Sequence, residues 1–181
     1  MALVSTSFDS IIPFFERAIS KNEARFVSKL MINQPDKLAE LIGFISDNNP
    51  KTAMRASWIV GTVWELEPTL LKAYQSELIR IVLKTNSDSV RRNILRIIEN
   101  EPIPEEFLGV LFDTCLTWMK SENYAIAVRC NAMQISYRIC CVEPGLAIEL
   151  TEQIRLITDF GGPGLKSRSA ILLKKLTQLK D

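Results

Sequence analysis

A chain of 181 residues, 47% hydrophobic and 24% charged, has the composition of a globular protein that buries roughly 70% of its unfolded surface. Lys and Arg number 22 against 21 Asp and Glu, so the net charge of +1 predicts no strong long-range pull on nucleic acid or an anionic membrane. There is no histidine, which excludes Ser-His-Asp and Cys-His catalysis, and the seven glycines are few for a β-rich fold.

The first twenty residues lack a basic segment ahead of an apolar core and lack a small-residue cleavage site, so they do not read as a secretory signal. The longest apolar runs, such as 58–64, fall far short of the roughly 20 residues that cross a bilayer. A cytoplasmic location is expected. Residues 7–19 predict a first helix with Pro13 in its opening turns, and Phe26, Val27, Leu30 and Met31 mark a second over 22–31. Pro35 opens a third helix, running to Asp47 through Leu38, Leu41, Ile42 and Ile45. Asn49-Pro50 is a cap followed by a first-turn proline, and the helix it starts ends near Trp64. Helices follow over 68–83, from a cap at Asn86 to about 98, from Pro104 to about 120, and from a cap at Asn123 to Cys140. The last two cover 145–158 and 165–179, with Lys174, Lys175 and Lys180 suited to a helix C-terminus. No segment alternates as a strand does and no linker divides the chain. The parse is a single all-α domain, 1–181, of five helix pairs: 7–32, 36–65, 68–99, 104–141 and 145–179.

These pairs repeat. Asn49, Asn86 and Asn123 each stand six residues before an arginine, at 55, 92 and 129. The arginines are spaced by 37 residues, and Arg168 follows Arg129 by 39. Glu-Pro recurs at 67–68, 101–102 and 143–144. Recurrence at this length predicts a right-handed α-α superhelix, in which each helix pair buries its apolar face against its neighbours.

The pieces AMR at 53–55, VRR at 90–92, AVR at 127–129 and KSR at 166–168 resemble the start of the second helix in HEAT/armadillo repeats, over about residues 36–179. Asparagine or glycine stands where that pattern often has aspartate. The resemblance implies a non-catalytic scaffold whose second helices line an inner surface that binds another macromolecule, most readily a protein. Arg55, Arg92, Arg129 and Arg168, with Asn49, Asn86 and Asn123, would form a ladder holding repeat to repeat. Arg92, Arg96, Arg129 and Arg138 are the candidate partner contacts, and Arg91, which like Arg96 and Arg138 falls outside the regular spacing, is a further one.

The sequence bears on other chemistry as well. Cys115, Cys130, Cys140 and Cys141 form no C-x-x-C pair and fall in apolar helical patterns, so reduced core cysteines are expected rather than a disulfide framework or a zinc site. Glu105-Glu106 reads as first-turn acid favoured by the helix dipole. Gly161-Gly162-Pro163-Gly164-Leu165-Lys166-Ser167 invites comparison with a phosphate-binding loop, but Leu165 interrupts the required Gly-Lys-Ser and a helix precedes it. Adenylosuccinate lyases carry a Gly-Ser-Ser-x-Met-Pro-x-Lys-x-Asn loop and catalytic histidines, and neither exists in this sequence. Trp58, Trp64 and Trp118 permit an alternative, a nucleic-acid-binding protein similar to the alkylpurine DNA glycosylases built from HEAT-like repeats. Neither reading requires a metal or cofactor.

Overall fold

The computed structural model describes residues 12–159 and 161–179, and the expected opening of the first helix at 7–11 lies outside them. Every regular element among the described residues is helical. The chain divides into two compact units, Met1–Ile81 and Val82–Asp181.

In the first unit, α1 (Ile12–Glu16), α2 (Lys21–Ile32) and α3 (Leu38–Gly43) all pack on α4 (Pro50–Leu66). The start of α2 is a reciprocal capping box. The Ser20 hydroxyl accepts from the Glu23 amide at 3.2 Å, and the Glu23 carboxylate accepts from the Ser20 amide at 2.8 Å. Arg17 adds an ion pair at 2.5 Å. The Arg17 hydrogen bond, followed by those of Ser20, holds the Glu23 carboxyl down at about 2. A carboxyl depressed in the folded state stabilises above its unfolded value of about 4, and that contribution is lost as pH falls through about 2. An NMR titration of the Glu23 side chain should therefore show a midpoint near 2, moving up toward the ordinary carboxylate range in Arg17→Ala.

The third predicted helix is shorter than expected. Pro35–Lys37 and Phe44–Ser46 are tight 3-10 turns on either side of α3, where i to i+3 bonds pair end groups that the α-helical ladder leaves open, amides at the start and carbonyls at the finish. Helix α4 begins as its sequence requires, with the Lys51 amide donating to Asn49 Oδ1 at 3.0 Å and Pro50 in the first turn. It buries Ala53, Ala56, Ile59, Val60 and Val63. Where α2 meets it, buried Ser28 donates to the carbonyls of Ala24 and Ile59 at 2.8 and 3.2 Å. A small hydroxyl can sit at this crossing because both of its acceptors are backbone. A 3-10 stretch, Pro68–Tyr74, then leads into α5 (Gln75–Lys84), the helix in which the boundary between the units falls.

The second unit contains α6 (Asp88–Ile98), α7 (Leu108–Lys120), α8 (Ile126–Val142), α9 (Ala147–Thr158) and α10 (Pro163–Gln178). Helix α8 is its centre and packs against the other four. Its Val128, Ala132, Met133, Ile135 and Ile139 are fully buried among Ile94, Leu95, Leu111, Cys115, Leu150, Ile154 and Leu172. The α9–α10 corner needs glycine. A Cβ on Gly161 would stand 3.0 Å from both the Ile157 carbonyl oxygen and Leu165 Cβ, tighter than ordinary van der Waals contact.

Candidate functional site

The arginines divide by what their guanidinium groups touch. Arg55 is buried and donates to the Phe15 carbonyl at 2.6 Å, and Arg129 is buried and donates from Nε to the Met119 carbonyl at 3.0 Å. In the repeat between them the buried arginine is Arg91, while Arg92 is exposed and has no hydrogen-bond or ion-pair partner among the described residues. Arg91 pairs with Asp88, donates to the Thr85 carbonyl, and lies 5.2 Å from the Trp118 ring and 5.0 Å from the Tyr124 ring. It thus ties the start of α6 to the α7–α8 turn.

The predicted caps follow the same division. Asn49 caps α4, but at α6 the Ser87 hydroxyl accepts the Val90 amide in place of Asn86. Helix α8 begins at Ile126, so Asn123 lies in the preceding turn and its amide donates to Ser121 Oγ. The Ala125 amide instead reaches Asp88 Oδ2 at 2.7 Å. One carboxylate on α6 therefore holds the buried arginine of its own repeat and also caps the second helix of the next.

Several other cations lie on a face made by α6, α8 and α10. Arg92, Arg96 and Glu99 fall on one side of α6 at i, i+4 and i+7. Cys130, Gln134, Tyr137 and Arg138 continue the face on α8, and Arg168, Ile171 and Lys175 on α10. Arg138 Nη1 donates to the Ile98 and Glu101 carbonyls at 2.9 and 2.6 Å, gripping the α6 terminus on both sides of Glu99. Arg168 Nη1 donates to Gln134 Oε1 at 2.9 Å, and Lys175 Nζ stands 5.5 Å from the centre of the Tyr137 ring. Half-buried Glu99 lies within electrostatic reach of Arg168, Arg96 and Arg138, yet its Oε2 is buried with no hydrogen-bond partner. Burial holds its carboxyl above the usual carboxylate range, against the opposing pull of those three arginines. Five cations share this face with one carboxylate. Beside them Ile126 and Ile171 are more than half exposed.

The family model for the HEAT repeat domain matches residues 14–176. The chain belongs to the HEAT repeat family. No curated protein and no solved structure gives a significant match to it. In HEAT terms α4, α6, α8 and α10 are second helices, and the arginine-lined face is the second-helix side of the last three. The other side chains singled out from the sequence are placed more plainly. Trp118 is in the core, while Trp58 and Trp64 are half-buried in the first unit. Cys115 and Cys140 are buried, Cys130 is half-buried and Cys141 is exposed at the end of α8, where the helix leaves the core. Burial pushes the Cys140 thiol up to about 12 and the Cys115 thiol higher still, so both are poor nucleophiles. Lys166 and Ser167, from the glycine-rich stretch, are exposed on α10. Among the described residues no group of three His, Cys, Asp or Glu could hold a metal ion, and no helix is long and apolar enough to cross a membrane.

Sequence spacing pointed to Arg92, Arg96, Arg129 and Arg138 as contacts. The structure brings Arg96 and Arg138 together around Glu99, adds Arg168 from α10, and draws Arg129 into the interior.

Proposed function

We propose that this HEAT repeat protein is a non-catalytic binding module that engages a protein partner through the second-helix face of α6, α8 and α10. The observation that carries this reading is the mixed polarity of that face, with Arg92, Arg96, Arg138 and Arg168 beside the exposed Ile126 and Ile171. Protein interfaces favour such a mixture, because guanidinium groups and apolar side chains both lose water there at little penalty. Arg129 is left out of the contact set, since its guanidinium is turned to a carbonyl in the interior. The module needs no cofactor or metal. Four free cysteines suit a reducing compartment such as the cytoplasm. That one family match runs through the boundary between the two compact units supports treating residues 1–181 as a single repeat domain.

A nucleic-acid partner is the second reading, favoured by the pooling of Arg96, Arg138 and Arg168 around Glu99. Against it, the chain's net charge of +1 supplies no strong long-range field for phosphate, and Arg138 and Arg168 each commit Nη1 to protein acceptors. Selection of random displayed peptides on the intact protein, run beside duplex DNA binding over a salt series, separates the two. Enriched peptides that lose binding to Ile171→Asp support the protein reading. DNA binding that weakens steeply with salt, with no peptide enrichment, contradicts it.

A further inference from the structure

We infer that Arg138 and Arg168 form a receptor for a carboxylate on an acidic, leucine-bearing peptide segment, and that Glu99 takes up a proton when the segment binds. The inference rests on the protein-binding reading above and names the chemistry of the partner.

Three features of the site lead to it. The first is pre-organisation. Arg138 is fixed by two backbone carbonyls and Arg168 by Gln134, all through Nη1. The Nε–Nη2 edge of each guanidinium meets no acceptor among the described residues. That edge is the fork that takes a carboxylate with two parallel hydrogen bonds. The second is an orphaned oxygen within the cluster: Oε2 of Glu99 is buried without a hydrogen bond among the described residues. The third is the placement of Glu99 as the C-terminal cap of α6, where the negative end of the helix dipole disfavours a second negative charge. Burial acts in the same direction, and the three arginines oppose it.

An incoming carboxylate shares those arginines and adds a negative charge beside Glu99. The competing carboxyl then binds a proton from solvent, and the arginines turn to the partner. The groups facing Glu99 are Arg96 on its own helix, Arg138 and Cys130 on α8, and Arg168 on α10. Burial raises the Cys130 thiol, so it stays neutral through the range in which the carboxyl titrates. The apolar part of the segment fits Ile126 and Ile171, which flank the cluster and stand more than half exposed.

The test measures the affinity of the full-length protein for a fluorescein-labelled peptide of alternating Glu-Glu and Leu-Leu pairs, by anisotropy. Binding is expected to tighten about fivefold as pH is lowered from about pH 7.5 through the titration of Glu99. Glu99→Gln keeps the shape and removes the charge. It is expected to bind at the higher pH about as tightly as the parent does at the lower, with the pH dependence gone. Arg168→Gln should weaken binding about tenfold. Parent-like pH dependence in Glu99→Gln, or parent-like affinity in Arg168→Gln, overturns the inference. If Ile171→Asp alone abolishes binding, the carboxylate receptor fails while the protein-binding reading survives. Absence of peptide binding together with salt-sensitive DNA binding removes both.

Discussion

Arg91→Ala lowers the unfolding free energy of the second unit by about 3 kcal/mol, while Arg92→Ala, one residue along, changes it by no more than about 0.5 kcal/mol. The two arginines are identical in chemistry and differ by about a hundred degrees of helix rotation. Arg91 is buried against Asp88, the Thr85 carbonyl and the Trp118 and Tyr124 rings. Removing it strips Asp88 of its ion pair, leaves the part-buried Thr85 carbonyl without that donor, and opens a gap beside two aromatic rings. Because Asp88 is about one-third exposed, water recovers part of the ion-pair loss, and the figure stays below the upper end for fully buried pairs. Arg92 loses only its own solvated charge. Urea unfolding followed by tryptophan fluorescence measures both, since Trp118 lies in the affected contact.

Trp118→Ala has an effect of similar or larger size, about 4 kcal/mol, from the deletion of a large side chain that is only 3% exposed. Its ring packs at α7, meets Tyr124 edge-on with ring centres 6.4 Å apart, and underlies the Arg91 guanidinium. The two residues share one contact, so their effects should not add. In Arg91→Ala/Trp118→Ala the loss should fall short of the summed single losses by about 1 kcal/mol, the strength of a desolvated cation–π pair. Full additivity, measured by circular dichroism in urea, would mean that the ring and the guanidinium act independently.

The helices were legible because local patterns decide them. Asn49-Pro50 predicts the start of α4 and the structure places the cap there. Asn86 and Asn123 follow the same spacing but lose the role to chemistry that spacing does not record. Ser87 stands next to Asn86 and has the extended backbone that a cap requires. For α8 the capping acceptor is Asp88, separated from Ala125 by 37 residues of sequence. The arginine ladder slipped for a related reason. A spacing of 37 favours Arg92, whereas the buried series runs 55, 91, 129. The 3-10 turns ahead of α3, α5, α7 and α9 let repeat length vary without disturbing the helices they precede. Glu99 was missed altogether. Its neighbours come from three helices, and its only local signal was the shared face of Arg92, Arg96 and Glu99 on α6. The pooled charge was hidden as well, because acidic residues elsewhere bring the whole chain to +1.

The central claim is that the arginines of the second unit fall into two sets, Arg91 and Arg129 turned wholly inward and Arg92, Arg138 and Arg168 keeping a side toward a partner. The measurement that tests it most directly pairs thermal unfolding with affinity for a display-selected peptide in the double variant Arg92→Glu/Arg168→Glu. The account predicts at least a roughly hundredfold loss of affinity with an unfolding midpoint within about 2 °C of the parent. A variant that keeps its affinity, or that unfolds as early as Arg91→Ala, would contradict it.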